Sequence, residues 1–104
     1  MAWAADVYVG ALTLYVLLGD IRSLKQKHSA VASIIAEVRR RQPAVAVAET
    51  GSLDARRRAE IGVAAVASTA AHVTEVLGAC ERLVAARPDI ELLSARFRLV
   101  SEEE

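Results

Sequence analysis

The residues best suited to chemistry in this chain are cations, and they fall into three short runs: Arg22-Ser23-Leu24-Lys25-Gln26-Lys27-His28, Arg39-Arg40-Arg41 and Arg56-Arg57-Arg58. Arginine presents a planar fork that matches phosphate or carboxylate, and lysine a point charge. The first run is the informative one. It opens a helical segment, where the macrodipole is positive and acidic residues are favoured, yet Lys25 and Lys27 stand there with Arg22 just before them. Cations beside free helix-terminal amides form a ready place for an anion, and a local rule broken without visible compensation points to function. Arg39 to Arg41 close the same segment, where positive charge complements the dipole, so a structural role is expected for them.

Little supports catalysis. His28 lies on or beside the apolar stripe of the first helical segment and is expected to be a partly buried structural histidine. His72 opens the second helical segment at the far end, so the two do not meet. Cys80 sits at core spacing and reads as a small buried hydrophobe. No Ser-His-Asp or Cys-His pairing follows from the pattern. There is no cysteine pair or His-x-x-x-His for a metal, and no glycine-rich phosphate loop. Glu49 and Glu60 flank one loop and could form a carboxylate pair, though pairing with nearby arginines is the plainer reading. An acylphosphatase-like site needs Arg and Asn, and the chain has no Asn. The expectation is a protein without catalytic residues, cofactor or metal.

Composition frames these residues. The chain has 104 residues, 54% of them hydrophobic and only 4% aromatic, so its core must be built from Val, Ala, Leu and Ile. Basic and acidic residues number 13 each, which argues against coating nucleic acid by bulk charge and leaves room for a local basic patch. A lone cysteine fits a reducing compartment. No signal peptide is apparent at Met1 to Asp6, and the apolar stretch from Tyr8 to Leu18 is too short to span a bilayer, which takes about 20 residues. A cytoplasmic, non-membrane protein is expected.

The elements that must position the cations follow from periodicity. Val7 to Leu17 is apolar on both sides and predicts a central strand. Ser23 with Gln26 fits a capping box, and Leu24, Val31, Ile34, Ile35 and Val38 form a helical stripe that Pro43 terminates. Ala44 to Ala48 predicts a short strand, Glu49 to Ala59 a polar turn, and Ile61 to Ala67 a third strand. Ser68 or Thr69 caps a second helix with the stripe Val73, Val76, Leu77, Cys80, Leu83 and Val84, weakened at Gly78 and ended by Pro88. Ile90 to Val100 predicts the last strand, with Leu93, Ala95, Phe97 and Leu99 on one face and Ser94, Arg96 and Arg98 on the other. Residues 101–104 read as an acidic, frayed tail. The order strand, helix, strand, strand, helix, strand predicts an α+β, ferredoxin-like β-α-β-β-α-β domain spanning residues 1–104 with its core at about 7–99: a four-stranded antiparallel sheet with two helices on one face.

Several segments resemble a known family. Arg22 to Lys27 is similar to the "RSLKEK" signature of the YlxP-like bacterial proteins, a family of unknown function. Val47-Ala48-Glu49, Arg58 to Ala64 and Ala71 to Leu77 resemble its later motifs, and the likeness runs from about Val7 to Leu99. The resemblance implies a ferredoxin-like, cytoplasmic, bacterial protein, and family members are often encoded near translation-initiation and ribosome-maturation genes. The chain departs from the pattern at His28, where Arg is usual, and at Arg56, where an aromatic ring is common; a function that stacks on that ring does not transfer.

This topology places the start of the first helix, the turn between the second and third strands, and the end of the second helix at one edge of the sheet. Arg22, Lys25, Lys27, His28, Arg56, Arg57, Arg58 and Arg87 should gather there, with Asp20, Asp54 and Asp89 nearby and Glu60 within reach. The expected anion- or RNA-contacting set is Arg22, Lys25, Lys27, Arg56, Arg57 and Arg58, in a non-enzymatic RNA- or ribosome-associated accessory protein. The alternative is a structural or regulatory homo-oligomer that associates through the uncovered face of the sheet, where Ile61 to Ala67 carries no aromatic residue for reading bases. A sensor of a small anionic metabolite is a third, weaker reading.

Overall fold

Four strands and two amphipathic helices close around one aliphatic core. The computed structural model describes residues 6–52 and 55–101; Asp54, the acidic residues 102–104 and residues 1–5 lie outside them. Its elements are β1 (Tyr8–Leu18), α1 (Leu24–Arg41), β2 (Ala46–Gly51), β3 (Arg58–Ala67), α2 (Ala70–Ala85) and β4 (Ile90–Ser101). The sheet order is β2-β3-β1-β4 and every pairing is antiparallel. This is the expected ferredoxin-like arrangement, with β1 in the interior of the sheet and both helices on one face.

The caps explain where the helices start. Ser23 is extended (φ −152°, ψ 161°) and its hydroxyl accepts from the Gln26 amide at 3.1 Å. Gln26 Oε1 accepts from the amide of Arg22 at 2.7 Å, one residue before the one a capping box engages. Thr69 caps α2 by accepting from the His72 amide at 3.1 Å.

The core is aliphatic. Leu12, Leu14, Val16 and Leu18 of β1, Val47 of β2, and Ala59, Ile61, Val63 and Ala65 of β3 pack under Val31, Ile34 and Val38 of α1 and Val73, Leu77, Cys80 and Val84 of α2. Gly10 lets α2 approach the sheet: a Cβ there would strike Val73 Cγ1 and lie 2.8 Å from Leu77 Cδ1.

Four expectations need correction. The β2–β3 hairpin is longer than predicted, because Glu49, Thr50, Gly51, Arg58 and Ala59, expected in the polar turn, are strand residues, as is Glu60, which lay between the expected turn and strand. Leu24 is exposed, outside the core stripe. His28 is exposed rather than partly buried, one residue past the buried line of α1. In β4 the register shifts opposite Tyr15 and Val16. Ala95, Phe97 and Leu99 share the helix-side face with Leu12 and its neighbours, but below the irregularity Leu92 and Ile90 replace Leu93, which stays exposed.

Candidate functional site

Main-chain closure brings the first helix and the central turn together. The Leu18 amide donates to the Arg57 carbonyl at 2.6 Å. Arg57 reaches back over the end of β1, its Nε donating to the Gly19 carbonyl at 3.3 Å and a terminal nitrogen to the Leu18 carbonyl at 3.4 Å. Arg56 donates to the Arg22 carbonyl at 3.3 Å, directly before the cap of α1. Arg22, Lys25, Arg56, Arg57 and Arg58 therefore share one end of the molecule, and all five are exposed.

Their charges are largely uncancelled among the described residues. Arg22 meets Asp20 at 3.5 Å, with both side chains about four-fifths exposed (79% and 81%); such a pair contributes little. Arg56 and Arg57 spend hydrogen bonds on neutral carbonyls, which orients their guanidinium groups and leaves the charge in place. No described carboxylate lies within ion-pair distance of Lys25, Arg56, Arg57 or Arg58.

Two of the gathered cations do not belong to this surface. Lys27 is 0% exposed. Its ammonium lies 3.2 Å from Glu49 Oε2 and donates to the Ser52 carbonyl. Position 27 precedes Val31, Ile34 and Val38 at i+4, i+7 and i+11, so it continues the buried line of the helix. Glu49, 16% exposed, stands on the helix side of β2 beside Val47. Its Oε2 receives no hydrogen bond among the described residues, so its attraction to Lys27 is ionic rather than directional. Ser52 has φ 57°, the left-handed region that favours glycine, and the Lys27 ammonium on its carbonyl ties down that turn. Lys27 is thus a strut for the β2–β3 hairpin, not an anion ligand.

Arg87 is the second. It forms a bidentate pair with Asp89 (Nε at 3.1 Å, a terminal nitrogen at 2.8 Å) and reaches across to Glu37 of α1 at 2.6 Å and Ser33 Oγ at 3.2 Å. The hydrogen bonds to Asp89 raise its affinity for the proton above the usual arginine range, and the same contact holds Asp89 below the usual carboxylate range. The cluster clamps the α2–β4 turn to α1.

The remaining candidates stay apart. Glu49 and Glu60 lie on opposite faces of the sheet: Glu60 is cross-strand from Tyr15 on the open face and accepts from Ser52 Oγ at 3.1 Å. Neither is ion-paired with arginine among the described residues. Arg39 donates to the Val47 carbonyl at 3.1 Å, bracing edge strand β2. Cys80 is buried at α2, and desolvation pushes its thiol pKa up. Among the described residues, no three His, Cys, Asp or Glu side chains cluster as a metal site and no helix is long and apolar enough to cross a membrane.

The open face was foreseen only in outline. Val9, Val66 and Val100 form an exposed row across β3, β1 and β4, Val66 being 66% exposed. Beside it runs a trough of about 390 Å³ lined by Ala11, Ala46, Ala48, Thr50, Gly62 and Ala64, among others. Arg96 and Arg98 stand in the same two cross-strand rows, on β4.

Among solved structures, the chain is similar to the de novo designed protein Foldit4 (11% identity, 91% of this chain and 98% of that one, TM-score 0.53). It is also similar to a dimeric ferredoxin-like protein of unknown function from Thermobifida fusca YX (11% identity, 97% and 96%, TM-score 0.50). At these identities the likeness shows the fold alone. No curated protein matches the chain. The family model DUF503, described as a protein of unknown function, matches residues 9–97, and the chain accordingly belongs to the DUF503 family.

Proposed function

We propose that this chain is a non-enzymatic, cytoplasmic accessory protein that contacts the phosphate backbone of RNA through Arg22, Lys25, Arg56, Arg57 and Arg58. The observation that carries the reading is the tethering of Arg56 and Arg57 to the uncharged carbonyls of Arg22, Gly19 and Leu18, which fixes these cations beside the start of α1 with no described carboxylate in ion-pair reach. Charge-assisted bonds to phosphate are the strong use of such orientation. The resemblance of Arg22 to Lys27 to the YlxP-like signature, whose bearers are often encoded near translation genes, favours RNA over other anions.

A mobility-shift assay with a ribosomal RNA fragment tests it. With about four phosphates neutralised by each basic rim that engages the RNA, log affinity falls with log salt at a slope of about −3 per rim, or about fifty-fold per rim between 50 and 200 mM. Arg22→Glu with Arg56→Glu should abolish the shift. Binding that ignores salt, or survives both reversals, overturns the reading.

The open face supports a second reading, a homo-oligomeric interaction module, because Val9, Val66 and Val100 are exposed together. The Thermobifida fusca relative in fold is described as dimeric.

A further inference from the structure

We propose that two copies pack open face to open face about a two-fold axis running along the strands, between β3 and β1, so that both basic ends lie at the same end of the dimer. This rests on both readings above and joins them.

The occupant follows from the pattern of the face. Cross-strand register divides it into rows: Val66, Val9, Val100; then Ala46, Ala64, Ala11, Arg98; then Ala48, Gly62, Thr13, Arg96; then Glu60, Tyr15, Ser94; then Arg58, Leu17, Glu91. Small residues occupy the β2 and β3 side of the middle rows and arginines the β4 side. An axis along the strands lays β4 of one copy over β2 of the other and β1 over β3, each row meeting itself. Val9 then covers the partner's Val66. The stems of Arg96 and Arg98 enter the alanine and glycine trough, as long cationic side chains do along apolar surface.

Charge is complementary in the same arrangement. The Glu60 carboxylate leans over Gly51 toward β2, where an added Cβ would strike it, and so lies in reach of the partner's Arg96. Arg58 lies over the partner's Leu17, beside the partner's Glu91. The perpendicular axis, centred on the same face, sets Arg96 against the partner's Arg96 and places Val66 on the partner's Arg58. Like charges opposed across an interface are unfavourable.

The area is sufficient. From the valine row to the Arg58 row is eight residues, about 27 Å, across four strands about 4.8 Å apart. That gives about 500 Å² per copy and about 1,000 Å² in all, the lower bound of a specific interface. Sheets so packed keep their strands within about 30° of each other.

The consequence is functional. The ends of β1 and the β2–β3 turns of the two copies point the same way, so the rims of Arg22, Lys25, Arg56 and Arg57 form one surface about 10 Å sheet to sheet. One RNA strand can engage both, which raises avidity without a new contact.

Sedimentation equilibrium over a wide concentration range, with the salt slope of RNA binding, tests this. The wild type should be a dimer and Val66→Glu a folded monomer whose slope is about half as steep. Arg96→Glu and Glu60→Arg should each weaken the dimer about tenfold or more, and the two together should restore most of the loss. A wild-type monomer at every concentration overturns the second reading and the dimer with it. A dimer indifferent to Val66→Glu, or charge reversals that do not rescue each other, overturns this arrangement alone. A rescued dimer with the same salt slope as the monomer overturns the shared rim. Absence of RNA binding in every variant overturns the proposed function and leaves the dimer standing.

Discussion

Replacing Lys27 by Met removes the one buried cation among the described residues while keeping the stem that fills the core. Two groups are then stranded: the Ser52 carbonyl loses its donor, and Glu49, 16% exposed, loses its counter-ion. Breaking a buried pair by removing one partner costs about 3–5 kcal/mol, because the surviving charge is left uncompensated. Glu49 keeps some contact with water, so the lower end applies, about 3 kcal/mol. A chain of this size has about 5–15 kcal/mol in all, and the loss corresponds to a drop of about 12–24 °C in melting temperature. Urea titration followed by circular dichroism measures it. Lys27→Met together with Glu49→Leu should recover most of the loss, since an apolar pair of similar volume is often neutral or better. A single variant that loses less than about 1 kcal/mol, the range of an exposed pair, would refute the strut. So would a double variant as unstable as the single one.

The glycines make a contrast of opposite sign: Gly10→Ala forces a Cβ into Val73 and Leu77 and should cost about 1–3 kcal/mol by overpacking. Gly78→Ala meets only the flexible tip of Arg82 at 3.3 Å and should stabilise α2 by about 0.5–1 kcal/mol; both are read by denaturant melts. Asp89, held below the usual carboxylate range chiefly by its hydrogen bonds to Arg87, contributes stability above its unfolded pKa and loses it as pH falls through the lower folded value. Asp89→Asn should therefore be less stable than wild type at neutral pH, with the gap closing in acid, as thermal melts across pH will show. Cys80, buried and with its thiol pKa raised by desolvation, should resist thiol reagents until the protein unfolds, so labelling should track global unfolding.

The order and type of every element were legible because each rests on a short-range signal. Ser23 with Gln26, the run from Tyr8 to Leu18 and the punctuation at Pro43 and Pro88 are local, and the fold is the simple way to join them. The gathering of Arg22 and Arg56 at one end also followed, since it needs only the topology. Lys27 was misjudged because a charged residue in a first turn reads as solvated, although its spacing to Val31, Ile34 and Val38 was there to be seen. The partner that makes burial tolerable, Glu49, lies on another strand, and no local pattern links the two. Leu93 failed for a similar reason: alternation puts it with Ala95 and Phe97, and the irregularity opposite Tyr15 that removes it depends on the neighbouring strand. The Arg87 cluster unites α1, the end of α2 and β4, so only the assembled structure shows that this cation is consumed.

An amide chemical-shift titration with a short single-stranded RNA tests the central assignment most directly, because it places the contact on the molecule residue by residue. The largest perturbations are expected at Arg22 to Lys25 and Arg56 to Arg58, fading as salt is raised. Perturbations confined to the last turn of α1 around Arg39 to Arg41, or none at low salt, would contradict the assignment.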